Sequence, residues 1–223
     1  MDILDLFGKK KKTDEKPHLR EEKPVSKGGE AESEASHVDS HFNSGVMYYN
    51  QGKYEEAMRE FKEALSINPD LAEAHYNLGK LYELEARKSE DAFESEEEAI
   101  HEFQEAIRID PNHARARSSL GNIYLKNNMY EGALRELEEA VRIEPTLAEA
   151  RANLGLAYYL QGDYEESKRE HPAGVYSTRE VKKARGNYGK AIDEFKEAIR
   201  LEPGLADRLK PYIERAQLKA SSD

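Results

Sequence analysis

Residues 114–147 read ARARSSLGNIYLKNNMYEGALRELEEAVRIEPTL, and this stretch decides the fold. Within 116–126, Leu120, Ile123 and Tyr124 fall at i, i+3 and i+4, one stripe of an α-helix. Asn127-Asn128 suits a turn. A second helix is expected from Tyr130 to Ile143, with Ala133, Leu137, Ala140 and Val141 inward. Pro145 ends it, because the residue before a proline is pushed out of the α region. Gly121 lies inside the first helix at a cost of roughly 1 kcal/mol relative to alanine. Close approach of a neighbouring helix is the natural reason to keep it. One such hairpin buries too little apolar surface to fold alone, so it is expected to stack on copies of itself.

The copies are present. Gly45, Tyr48, Tyr54, Ala57, Phe61, Ala64 and Pro69 repeat the spacing of Gly121, Tyr124, Tyr130, Ala133, Leu137, Ala140 and Pro145, with 24 residues from glycine to proline in each. The pattern restarts at Ala148, which sets the unit at 34 residues. Another copy carries Leu78, Gly79, Tyr82, Ala99, Phe103, Ala106 and Pro111, with eight extra residues between its helices. The copy that begins at Ala148 shows Leu154, Gly155 and Tyr158, is interrupted after Gly162 and Tyr164, and resumes at Gly186, Tyr188, Ala191, Phe195, Ala198 and Pro203, an insert of 24 residues.

This signature resembles the tetratricopeptide repeat (TPR), a helix–turn–helix unit used in protein–protein binding. The resemblance implies an all-α fold, a right-handed α-solenoid of four TPR-like hairpins plus a C-terminal capping helix. The boundaries are 38–71, 72–113, 114–147 and 148–205, with a capping helix and tail over 206–223. Leu209, Tyr212, Ile213 and Ala216 form the capping face, with Leu218 a candidate fifth member. Pro211 is expected in the first turn of that helix or at a kink. Residues 1–37 read as a disordered tail, since a Lys-, Glu-, Ser- and Gly-rich segment cannot offset its ordering entropy. Ile3, Leu4, Leu6 and Phe7 before four lysines leave two readings, an incidental apolar start or a short docking motif; Asp2 and Asp5 weaken a membrane version.

The two inserts differ in charge. From Glu85 to Glu98 the balance is −5, and from Glu165 to Asn187 it is +2. The first lacks the alternating ligands and glycine of a calcium loop. Pro172 and Gly174 exclude one straight helix through the second, so a short helix over 164–170, a loop over 171–177 and a helical piece over 179–185 are expected. If both inserts emerge on one edge of the array, they could contact each other or form a composite site for a charged partner.

Composition narrows the function. The chain has 223 residues, 38% hydrophobic and 35% charged, which suits a thin array with a narrow core. A net charge of −11 opposes nucleic-acid binding, which needs a basic face. There is no cysteine, hence no disulfide or thiolate metal site. No apolar run approaches the roughly 18–20 residues of a membrane span, and the start is too short for a signal-peptide core. A cytoplasmic protein is the default expectation. His37 and His41 have no third ligand placed to make a metal site, and no Walker-type loop, His-Glu-x-x-His or Gly-x-Ser-x-Gly occurs. No catalytic, metal or cofactor site is expected, so the chain does not read as an enzyme.

Binding is the expected activity, and the resemblance implies where. The first helix of each TPR lines a concave groove, with its second, fifth, sixth, ninth, twelfth and thirteenth places facing a ligand. At those places repeat one offers Phe42, Asn43, Val46 and Tyr49, and repeat two offers Tyr76, Asn77 and Lys80. Repeat three offers Arg115, Asn122 and Leu125, and repeat four Asn153, Leu156 and Tyr159. Apolar pockets with convergent amides suit capture of an extended peptide. A chaperone-binding TPR subtype clamps a C-terminal carboxylate through five basic and amide side chains. Asn77 and Arg115 match that set, whereas Phe42, Val46 and Ser119 depart from it, which argues against the clamp. The expected function is a scaffold or adaptor that binds a protein or peptide; the alternatives are a self-assembly module or a regulatory subunit acting through the charged inserts.

Overall fold

The computed structural model describes residues 31–88, 92–168 and 178–221. Among these the chain forms α1 (Ala31–Asn50), α2 (Tyr54–Ile67), α3 (Ala72–Ala86), α4 (Ala92–Ile109), α5 (Ala114–Lys126), α6 (Tyr130–Ile143), α7 (Ala148–Ser167), α8 (Thr178–Leu201) and α9 (Ala206–Ser221), with a single 3₁₀ turn at Pro203–Leu205. No strand occurs among the described residues. The fold is all-α, built from helical hairpins.

Local chemistry sets the boundaries. Gly52 (φ +74°) and Asn128 (φ +57°) take the left-handed conformation that reverses the chain inside repeats one and three. Between repeats, Asn68 Oδ1 accepts the Asp70 N–H at 3.1 Å, and Asp110 Oδ1 accepts the Asn112 N–H at 3.0 Å. These Asx turns surround the prolines that end α2 and α4. Helix α1 already covers residues 31–37, ahead of the expected boundary at 38. Ala31, Glu32, Glu34 and Ala35 favour helix, and neither glycine nor proline interrupts 31–44.

The described residues divide into two compact units, 31–116 and 117–221. In the N-terminal unit, α1 to α4 stack as two hairpins. Val38, Phe42, Val46, Phe61, Leu71 and Leu81 form a continuous core there. In the C-terminal unit, Leu125 and Leu137 join Leu156, Tyr159, Tyr188, Phe195, Leu209 and Tyr212 in a second core. The helix glycines have the predicted purpose. A Cβ on Gly121 would stand 2.6 Å from Leu137 Cγ, and the equivalent glycine of each other repeat faces an aromatic ring just as closely.

Repeat four differs from expectation. No turn forms at Gly162-Asp163-Tyr164; α7 runs unbroken for 20 residues, against 13 in α5. Helix α8 has 24 residues, against 14 in α6. The short helix expected over 164–170 is the end of α7, the piece over 179–185 is the start of α8, and the loop over 171–177 lies outside the described residues. The reason is packing. Gly155 receives the ring of Phe195, and one heptad further along both helices Gly162 receives the ring of Tyr188, 2.7 Å from where a Cβ would sit. The hairpin is lengthened by repeating its own contact.

Helix α9 caps the array through Leu209, Tyr212 and Ala216, which are buried, with Ile213 packed beside them. Leu218 is not part of that face; it is 70% exposed. Pro211 lies inside the helix on its exposed side. A proline there lacks an N–H and presses its ring on the carbonyl one turn back. Pro211→Ala is therefore expected to stabilise the C-terminal unit by about 1–3 kcal/mol, read as a higher urea midpoint at unchanged m-value.

Candidate functional site

The first-helix faces carry the expected residues, and the structure sorts them into two groups. In the N-terminal unit, Phe42 and Val46 are buried in the core, with the Phe42 ring 5.7 Å from that of Phe61. Tyr76 is buried between Phe103 and His113, at 6.0 and 4.9 Å. These three build the wall beneath the face and do not line its surface. Asn43 is exposed, while Tyr49, Lys80 and Arg115 are half-buried. Asn77 is buried, and its Nδ2 donates to the Glu73 carbonyl at 2.8 Å. Lys80 pairs with Glu83 at 2.9 Å, and Arg87 reaches the other Glu83 oxygen at 2.6 Å.

In the C-terminal unit, Leu125, Leu156 and Tyr159 belong to the core. The Tyr159 ring meets Tyr188 and Tyr212 edge-on, each at 5.7 Å. The physical reason is the same in both units: with helices packed on either side, the large apolar residues of a first helix are covered by its neighbours. Asn122 is also buried. Asn153 stands apart. Its side chain has 0% exposure, and neither Oδ1 nor Nδ2 has a hydrogen-bond partner. A buried amide normally finds at least one.

Two further sets of polar contacts emerge that single positions did not reveal. The fourth place of every repeat pairs with the glutamate just before the second-helix Phe or Leu. His41 Nδ1 lies 2.8 Å from Glu60, His75 Nδ1 2.6 Å from Glu102, Arg117 2.7 Å from Glu136 and Arg151 2.8 Å from Glu194. His75 and Arg151 also reach back to the preceding repeat. His75 Nε2 lies 3.0 Å from the Pro69 carbonyl, and Arg151 Nε lies 2.7 Å from the Pro145 carbonyl. Aligning the repeats by place number brings these pairs into register, a signal that reading each histidine singly leaves out.

The second set lies on the lengthened hairpin. The Tyr188 hydroxyl lies 2.7 Å from Asp163 and 2.9 Å from Glu166, its single proton available to either carboxylate, and Lys219 of α9 donates to the same carboxylates at 2.6 and 2.9 Å. Burial, then hydrogen bonding to the two carboxylates, pushes the Tyr188 phenol far up. Burial alone would lower Lys219, but the bonds to Asp163 and Glu166 outweigh it and raise the ammonium. Nearby, desolvation alone would raise buried Glu165; the bonds from Lys183 (2.6 Å) and Gln161 (2.8 Å), with the charges of Lys183 and Lys168, together outweigh this and hold it below the usual carboxylate range. The basic insert is thus partly consumed in bracing its own hairpin.

Among the described residues no group of three or more His, Asp or Glu could hold a metal ion, and no helix is long and apolar enough to cross a membrane. The apolar-basic start and both insert tips (89–91 and 169–177) lie outside the described residues.

Helical hairpins of 34 residues with a glycine in the first helix and a closing proline define a class of repeat protein. The sequence profile described as "TPR repeat" matches residues 45–84, 96–128 and 121–162, and a second, "Tetratricopeptide repeat", matches 147–181. The chain belongs to the tetratricopeptide repeat family. It is 32% identical over 56 residues to the photosystem I assembly protein Ycf3 of Acaryochloris marina (strain MBIC 11017), a match that covers 25% of this chain and 34% of that protein. Among solved structures it is similar to MamA, with a TM-score of 0.54 and 23% identity over 79% of this chain and 84% of the other. It is also similar to YrrB, described as a TPR protein with an unusual peptide-binding site, with a TM-score of 0.51 and 21% identity over 81% and 96%. At these identities the structural likeness establishes the fold.

Proposed function

We propose that this chain is a scaffold or assembly factor that takes an extended peptide segment of a partner protein against the first-helix faces of its repeats. The observation that carries this is Asn153. Its amide is removed from solvent and has no partner for either polar atom. An amide left in that state costs about 1–3 kcal/mol of stability, and an extended backbone, with alternating N–H and C=O groups, can satisfy both atoms at once. Reaching it requires the covering side chains to change rotamer, an ordinary event at interfaces. Taken by itself, the N-terminal unit offers Asn43 (exposed) and Tyr49 and Arg115 (half-buried) on its own first-helix faces. TPR proteins mediate protein–protein interactions and generally serve as non-catalytic scaffolds. The Ycf3 relative is by name an assembly protein, and YrrB by description binds peptide. The net charge of −11 favours protein over nucleic-acid partners. The absence of cysteine fits a cytoplasmic site of action.

Asn153→Leu separates binding from folding. The variant is expected to be as stable as the wild type, or about 1 kcal/mol more stable, while peptides selected by the wild type from a displayed random library bind it at least about tenfold more weakly. Equal binding by both proteins, or failure of the wild type to select any peptide, would remove the proposal.

A further inference from the structure

The pairs at the fourth place are not alike in the two units. Residues 31–116 use histidine (His41, His75), whereas residues 117–221 use arginine (Arg117, Arg151). His75 and Arg151 do the same work. Each bonds the glutamate of its own second helix and the carbonyl of the proline that closes the preceding repeat. Arginine carries its donors at every accessible pH. An imidazole matches it only when both ring nitrogens hold a proton, because a carboxylate and a carbonyl can only accept. The geometry around His75, 2.6 Å to Glu102 and 3.0 Å to the Pro69 oxygen, is that of the imidazolium.

We propose that the N-terminal unit is a proton-gated half of the molecule: the proton on His75 ties the end of repeat one to both helices of repeat two, and its loss on raising the pH loosens that joint. The arginine tie of repeat four does not respond over the same range.

The groups facing His75 are few. Helix α4 presents Glu102 and Glu105, with His101 3.8 Å from a Glu102 oxygen and Arg108 drawn to Glu105 and Asp70. The turn before α3 presents the Pro69 carbonyl. Burial alone would lower the imidazole. The bond to Glu102, then the Pro69 carbonyl and the two carboxylates, outweigh it and raise the group above its ordinary value of about 6.5. The sign follows. A raised folded value makes the tie fully present below about pH 6.5 and lost as the pH climbs through the raised value. His113 does not share this role, since its Nδ1 accepts the Ala116 N–H at 3.2 Å.

Two measurements on the full chain test the proposal. The first follows the His75 ring nitrogens by 15N NMR in the wild type, where both are expected to carry protons at about pH 6.5. The second compares hydrogen-exchange protection factors between about pH 6 and about pH 8.5 in the wild type, His75→Arg and Arg151→His. Protection of α3 and α4 is expected to fall about threefold to tenfold more in the wild type than in His75→Arg. Arg151→His should move a pH-dependent loss onto α7 and α8. Contributions from His41, His101 and His113 are common to the proteins compared and cancel. A neutral His75 tautomer at about pH 6.5 overturns the proposal. So do equal pH profiles in the wild type and His75→Arg. Should a variant fail to fold, the ring titration of the wild type decides alone.

Discussion

Phe195→Ala is expected to lower the stability of residues 117–221 by about 3–5 kcal/mol. Phe195 is 1% exposed. Its ring lies over the bare backbone of Gly155 on α7 and 6.0 Å from the ring of Tyr212 on α9. It is thus the side chain through which α8 holds the fourth repeat and its cap together. Removing the ring leaves a cavity that Gly155, with no side chain, cannot fill. The loss belongs to the C-terminal unit, so hydrogen exchange of α7, α8 and α9 should report it, with α1 to α4 unchanged. Phe195→Leu is the control, because repeat three places Leu137 against Gly121 at the same register. That exchange is expected to cost less than about 1.5 kcal/mol. A loss of under 1 kcal/mol in Phe195→Ala would mean that the α7–α8–α9 contact is not the core of this unit.

Gly162→Val is expected to cost about 1–3 kcal/mol by overpacking. A Cβ there would meet the Tyr188 ring at 2.7 Å, and Tyr188 is itself buried. The ring cannot yield without withdrawing its hydroxyl from Asp163 and Glu166, the carboxylates that also hold Lys219 of α9. The damage should therefore be localised. Amides of 163–167 and of the first turns of α8 should lose protection, α9 should loosen, and α6 should remain as it was. If Gly162 were instead a turn glycine like Gly52, valine would cost backbone strain only and the α8 amides would not change.

Much of the fold is local chemistry and was legible. Helix α6 occupies Tyr130–Ile143 as its apolar spacing predicts, because a 3.6-residue period and a closing proline are properties of the segment itself. The glycine–aromatic contacts were legible as a need, since a glycine in a helix interior demands a close neighbour. The exposure of the first-helix faces was legible only in part. Phe42, Val46, Leu125, Leu156 and Tyr159 occupy the expected places, but their neighbours cover them, and burial is a property of the stack. The pairs at the fourth place were hidden for a similar reason. They join residues 19, 27, 19 and 43 apart, because the inserts stretch the chain between partners whose positions in space are equivalent.

Two four-residue stretches mark the division. Gln51-Gly52-Lys53-Tyr54 and Gln161-Gly162-Asp163-Tyr164 differ at one position. The sequence alone determined the 34-residue repeat, its hairpins and its family, because these rest on periodicity and backbone preference. That the first stretch reverses the chain at Gly52 while the second continues as helix follows from packing between distant segments. The difference is supplied by Tyr188 and Lys219, 26 and 57 residues beyond Gly162, whose ring and ammonium reward a straight α7 with a buried contact and two paired carboxylates.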